Sequence, residues 1–165
     1  MYITSENIIY AQKNGATTRV RGVTSNEKMK VMVANEHSTY AGSVTGFIQK
    51  INGEEVTAQV QIGEFEVLDM SITNETLWVL SNRKEIHELD ATSLETKRTA
   101  SLGYDGTCLA FVQIANEIWV GDKKGVIHAL AVDSLEQASQ FEGSFQPMMC
   151  ISAHFDTSTV ASGDK

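Results

Sequence analysis

Apolar and polar residues alternate along this chain in short runs separated by two to six residues. Val56 to Ile62, VTAQVQI, turns one side to water and the other to a core, as an outer strand does. Thr39 to Ser43 and Phe47 to Ile51 flank a turn at Val44 to Gly46, and Asn52 with Gly53 signals the next hairpin. Met29 to Ala34 (MKVMVA) reads as the inner strand that opens a unit, and Phe65 to Ile72 begins the following one. Further runs follow at Leu77 to Leu80, Glu85 to Asp90, Thr96 to Leu102, Thr107 to Val112, Glu117 to Val120, Val126 to Ala131 and Ala138 to Phe141. None has the length and 3.6-residue period of an amphipathic helix, so the pattern predicts consecutive meander hairpins.

The runs repeat. LWVLSNRKEIHELDATSLE from Leu77 returns 41 residues later as IWVGDKKGVIHALAVDSLE from Ile118, with eight identities in 19 positions; chance gives about one. Thr39 to Asn52 lies on the same template 38 residues before Leu77, and Val160 to Lys165 (VASGDK) echoes Val120 to Lys123. A period near 40 built from short alternating runs predicts an all-β fold, a partial β-propeller of about four consecutive four-stranded antiparallel blades, the last incomplete. The approximate units are 1–35 (degenerate), 36–73, 74–113, 114–155 and 156–165, the start of a further unit. One sheet cannot bury both its faces, so blades must stack, and Tyr40, Trp78 and Trp119, which share one register, are expected between them. Because the last unit stops at Lys165 in a turn, the expectation is a piece of a larger propeller, or a final blade completed by other residues. The alternative is a small closed ring in which Met1 to Glu6 supplies a missing strand.

Composition narrows the functional classes. A net charge of −8 argues against broad nucleic-acid binding, which needs Lys and Arg to neutralise phosphates. The local exception is Lys13, Arg19, Arg21, Lys28 and Lys30, opposed only by Glu27: a solvated strand face or a docking patch for an acidic partner. No stretch has the length of a membrane span, and MYITSENIIYAQK lacks the basic-then-apolar order of a signal peptide, so a cytoplasmic protein with no membrane partner is expected. Cys108 and Cys150, 42 residues apart in equivalent apolar runs, are expected to be buried reduced thiols.

At this point the units resemble WD40 repeats, whose second and third strands read approximately LASGSxDGTIRLWD. Ala41, Gly42, Ser43, Gly46 and Ile48 follow that template, as do Gly121, Gly125 and Ile127. The Trp-Asp pair that names the family appears as Ile51 and Asn52, Leu89 and Asp90, and Leu130 and Ala131, and no Gly-His pair precedes any unit. Within that family, WVGDKKGVIHAL to VASGDK is similar in order and spacing to the C-terminal propeller of the actin-interacting protein 1 family. That resemblance implies other proteins as partners, actin and cofilin among them, a role in filament turnover, and no cofactor.

Candidate chemistry is sparse. His87 and His128 take matching positions on adjacent units, which a sheet spacing of about 10 Å separates too far for a shared metal, so surface or packing roles are expected. Asp122, Lys123, Lys124 and Gly125 read as a tight turn rather than a phosphate loop, there being no helix after them. Ser152, His154 and Asp156 alternate along one strand and do not converge as a catalytic triad needs. The contact candidates are rim residues, Tyr104, Asp105 and Gln146, with Arg19, Arg21, Lys28 and Lys30 as the basic patch. The reading is a non-enzymatic interaction scaffold. Its alternative is a propeller-based hydrolase or redox enzyme with a central-channel site, which the apolar inner runs VLDMSI, TCLAFV and MMCIS disfavour.

Overall fold

The computed structural model describes residues 2–5, 8–14, 16–23, 27–73, 75–143, 145–154 and 159–164, and Met1, Glu6, Asp156 and Lys165 lie outside them. In chain order the strands are β1 (Tyr2–Ser5), β2 (Ile8–Lys13), β3 (Ala16–Arg19), β4 (Met29–Ala34), β5 (Thr39–Ser43), β6 (Phe47–Asn52), β7 (Glu55–Gln61) and β8 (Val67–Ile72). They continue with β9 (Thr76–Ser81), β10 (Glu85–Asp90), β11 (Thr96–Ser101), β12 (Gly106–Val112), β13 (Glu117–Asp122), β14 (Val126–Ala131), β15 (Gln137–Glu142), β16 (Met148–His154) and β17 (Thr159–Asp164). Three four-stranded antiparallel meanders, β4 to β7, β8 to β11 and β12 to β15, stand between a three-stranded sheet, β1 to β3, and a two-stranded one, β16 and β17. The first sheet, expected to be degenerate, has three strands among the described residues. Tyr2–Ser5 pair within it, with β2, rather than with the last sheet.

The sequence units and the sheets are out of step by one strand. The spans 36–73, 74–113 and 114–155 each hold the last three strands of one sheet and the first strand of the next. The repeat therefore threads each pair of sheets together covalently.

Turn chemistry follows the pattern. Gly46 and Gly125 take φ of 81° and 82° before the third strand of their sheets, and Lys84 takes 60° at the matched position. A Cβ on Gly46 would lie 2.0 Å from the Gly63 carbonyl oxygen, so only glycine fits there.

The core lies between sheets. Tyr40 and Ile48 meet Leu77, Val79, Leu89 and Leu94, and Trp78 and Leu80 meet Leu109, Ile118, Val120, Leu130 and Leu135. At the three junctions from the second sheet onward one glycine faces one apolar side chain. A Cβ on Gly42 would come within 2.7 Å of Val67, one on Gly106 within 3.0 Å of Leu80, and one on Gly121 within 2.6 Å of Met148. Which sheet supplies the glycine changes from junction to junction; the complementarity does not.

The repeated Ser-Leu-Glu has a matching task. Leu94 and Leu135 adopt left-handed φ of 62° and 58°, a conformation that costs a non-glycine residue energy, and both are buried. The turn thereby drives its leucine into the preceding sheet, Leu94 into the cluster of Tyr40 and Leu135 into that of Trp78.

Two expectations need correction at the last junction. Tyr40 and Trp78 are 1% exposed, but Trp119 is only partly buried; among the described residues the sheet stacked on it has two strands. Cys108 is buried, and desolvation pushes its thiol up to about 11, whereas Cys150 is exposed on β16.

Candidate interaction surfaces

Antiparallel meanders send all their turns to two rims. One rim carries the turns around Thr45, Arg83 and Lys124 together with the loops that lead into β8, β12 and β16. Its loops are tied across sheets. Lys30 Nζ lies 2.8 Å from Glu66 Oε1, Lys84 Nζ lies 3.3 Å from Asp105 Oδ2, and Lys123 Nζ lies 3.7 Å from Asp105 Oδ1. The Arg83 guanidinium donates to the Glu64 carbonyl. Exposed pairs of this kind add little stability, so their effect is to hold loop positions. The two lysines hold the Asp105 carboxyl below its ordinary range.

The predicted rim residues separate into different roles. Asp105 is the bridge between the third and fourth sheets just described. Tyr104 lies face to face with His128, ring centroids 3.5 Å apart, and burial raises its hydroxyl's pKa. Gln146 is exposed on the loop before β16, next to Phe145, which is 101% exposed, while Met149 is 54% exposed at the start of that strand.

The four residues of the predicted basic patch occupy two places. Arg19 ends β3, and Arg21 pairs with Glu55 at 2.5 Å along the outer edge of the second sheet. Lys28 is exposed before β4 and Lys30 stands on it, at the inner side.

Beneath this rim is a buried network in which Asp122 does more than form a turn. Its Oδ1 accepts from the Lys124 and Val126 N–H groups at 2.8 and 2.9 Å, and its Oδ2 lies 3.1 Å from His128 Nε2. His128 Nδ1 lies 2.9 Å from Gln137 Oε1. The sheet before it repeats the plan with one part changed: His87 stacks on Phe65 at 4.9 Å and its Nδ1 lies 3.0 Å from Thr99 Oγ1. Ser81 takes the place of Asp122, and His87 Nε2 is buried with Glu85 Oε2 no nearer than 3.7 Å. Desolvation lowers the pKa of His87, against a smaller opposing effect of Glu85. Both histidines therefore have packing roles. The signal in the sequence was the Asp122–His128 spacing, two partners six residues apart across a hairpin.

The inner strands β8, β12 and β16 border an open cavity of about 1030 Å³. Asp69 Oδ2 accepts from the Leu109 N–H at 2.8 Å, its Oδ1 accepts from the Met70 N–H, and burial raises its pKa above the ordinary carboxylate value. Ser71 Oγ accepts from the Phe111 N–H at 3.1 Å. Both side chains thus fasten one inner strand to the next. Among the described residues no group of three His, Cys, Asp or Glu side chains is placed to hold a metal ion.

Compared with known proteins, the sequence matches no protein-family description and no curated protein. Solved structures do match. A chain in the crystal structure of the mitotic checkpoint complex superposes with a TM-score of 0.86 at 12% identity, over 99% of this chain and 53% of that one. The chain adopts a WD40-like β-propeller fold. The β-propeller domain of Myceliophteria thermophila Cps50 (Swd1) matches with a TM-score of 0.74, also at 12% identity, over 95% of this chain and 59% of that one. This chain thus spans between half and three fifths of the propeller chains it superposes on. At such identity the likeness establishes architecture alone.

Proposed function

We propose that this propeller is a non-enzymatic scaffold for protein partners, cytoplasmic, which bind across the rim that carries the Lys84–Asp105–Lys123 bridge. The observation that carries this reading is Phe145. A phenylalanine 101% exposed, on the loop that leads into β16 and four residues before half-exposed Met149, is an apolar anchor on the same rim as the ion-paired turns at Lys84, Asp105 and Lys123. Charges of both signs line this rim: Lys28, Lys30, Arg83, Lys84, Lys123 and Lys124 stand among Glu27, Glu64, Glu66, Glu85, Asp105, Glu142 and Asp164, so the polar part of the surface offers a partner mixed ion pairs around the apolar anchor.

The finer reading is actin and cofilin, supported by the resemblance of Trp119 to Leu130 and Val160 to Lys165 to the actin-interacting propellers. Co-sedimentation with actin filaments and cofilin tests it. The chain should pellet with filaments decorated by cofilin, and Phe145→Ala should weaken this about tenfold, as loss of an aromatic anchor does. Enrichment no greater than that of an unrelated propeller removes the actin assignment. A reproducible hydrolase or redox activity, abolished by substitutions in the cavity, would overturn the scaffold reading itself.

A further inference from the structure

The three four-stranded meanders make the same tight turn before their third strand, but not with the same residue. Gly46 and Gly125 take φ of 81° and 82° there, at no cost to a glycine; Lys84 takes 60° at the matched position, a left-handed conformation that is costly for a residue with a side chain. Burial does not offset that cost, because Lys84 is exposed. What the lysine does is reach the next sheet. Its Nζ lies 3.3 Å from Asp105 Oδ2, and Lys123 Nζ approaches the other oxygen of the same carboxylate at 3.7 Å.

These groups line a pocket of about 460 Å³ walled by all three meanders and the start of β16. Lys30 lines it too, 2.8 Å from Glu66 Oε1. Three ammonium groups thus face two carboxylates. An ammonium has three N–H donors, and each of these meets one carboxylate. The Asn82 side chain accepts through Oδ1 from the Glu66 N–H at 3.2 Å, which leaves its NH2 to donate. The pocket is richer in donors than in acceptors, and the acceptor used twice is Asp105.

That carboxylate is exchangeable. The Asp105 side chain is 45% exposed, and exposed ion pairs are weak. An incoming carboxylate would replace one monoanion by another and gain little. A phosphomonoester carries between about 1.5 and 2 negative charges at neutral pH and presents three acceptor oxygens, which suits ammonium groups arriving from three sheets.

We infer that this pocket binds a phosphomonoester dianion between Lys84 and Lys123, with Lys30 and the Asn82 amide as further donors, and that Asp105 is the internal substitute which the ligand displaces. The strained turn at Lys84 then has a purpose that a glycine would not serve. The pocket lies on the rim proposed for partners and rests on that reading only for the source of the phosphate, since a phosphorylated side chain of a partner polypeptide and a free phosphomonoester present the same group.

Phenyl phosphate, titrated calorimetrically against the 165-residue chain at low salt, is the first probe. Saturable binding about tenfold or more tighter than that of benzoate is expected. Lys84→Gly and Lys123→Ala should each weaken it about tenfold by removing one charge-assisted contact. The Lys84→Gly chain should melt no lower than wild type, because glycine relieves the left-handed φ and the exposed ion pair adds little, so its loss of binding is not a loss of fold. Asp105→Asn should tighten binding about fivefold by removing the competing charge, the reverse of what a purely structural bridge gives. The inference is overturned if phenyl phosphate does not saturate, if benzoate binds as well, if Lys84→Gly or Lys123→Ala leaves binding unchanged, if Lys84→Gly lowers the melting temperature, or if Asp105→Asn binds no tighter. A capped pentapeptide with a phosphoserine between pairs of leucines separates the two sources. Binding tighter than that of phenyl phosphate, with the gain lost in Phe145→Ala, assigns the phosphate to a polypeptide partner. Binding no tighter assigns the pocket to a free phosphomonoester and counts against the partner reading of the rim alone.

Discussion

Trp78 and Trp119 have the same neighbours in sequence and opposite situations in space. Around each runs the same Trp-Val, Ile-His and Ser-Leu-Glu pattern. Trp78 is sealed by a sheet of four strands, a left-handed leucine and an arginine, and is 1% exposed; Trp119 is covered by two strands and leans on Phe141. A blade's sequence thus prepares an apolar face, but the next sheet determines whether that face becomes core or surface. The glycine pattern teaches the same lesson. Gly42, Leu80 and Gly121 are equivalent positions, and their sizes make sense only against Val67, Gly106 and Met148 across the junction.

If burial separates the two tryptophans, truncating them must separate further. Trp78→Ala should cost about 3 to 5 kcal/mol of unfolding free energy, and Trp119→Ala about 1 to 2 kcal/mol, since less apolar area leaves water there. Chemical denaturation measures both, and equal losses would mean that Trp119 is as fully enclosed as Trp78.

The junction complementarity sharpens the comparison at a single contact. Leu80→Gly should lose about 2 to 5 kcal/mol through the cavity opposite Gly106. Adding Gly106→Val, which copies the Gly42 and Val67 arrangement of the junction before it, should recover part of that loss. A double variant no more stable than the single one would show that the pairing is incidental.

The smallest expected difference is between the histidines. Burial holds the pKa of His87 below 6.5, so the native ring stays neutral while the unfolded chain gains a proton. Its stabilising contribution is therefore complete above pH 6.5 and declines as pH falls below that value toward the native pKa. His87→Gln, the residue already present at the matched position as Gln49, should flatten this part of the stability profile. Thermal melts from pH 7.5 to 5 would show it, and superimposable wild-type and variant profiles would deny His87 that role.

Much of the candidate rim escaped reading from residue types. Asp105 was legible as a rim residue because it lies in a polar loop before an inner strand, but its two lysine partners come from turns 21 residues before it and 18 after it. Tyr104 looked like a contact residue on the same grounds, and His128, 24 positions away, draws its ring inward. Leu94 and Leu135 stood among the repeat's identities without an evident reason, since nothing in Ser-Leu-Glu announces a left-handed leucine.

By itself the sequence determined the strands, their hairpin order, the period that makes each unit a meander, and the preference of matched positions for apolar side chains. Those properties depend on residues two positions apart or one turn away, where pleat and turn chemistry act locally. Only the tertiary structure decided which aromatic rings are enclosed, where each glycine is needed, how the rim charges pair and which face is left half open. These depend on contacts between sheets about 40 residues apart along the chain, set by how one sheet lies on the next.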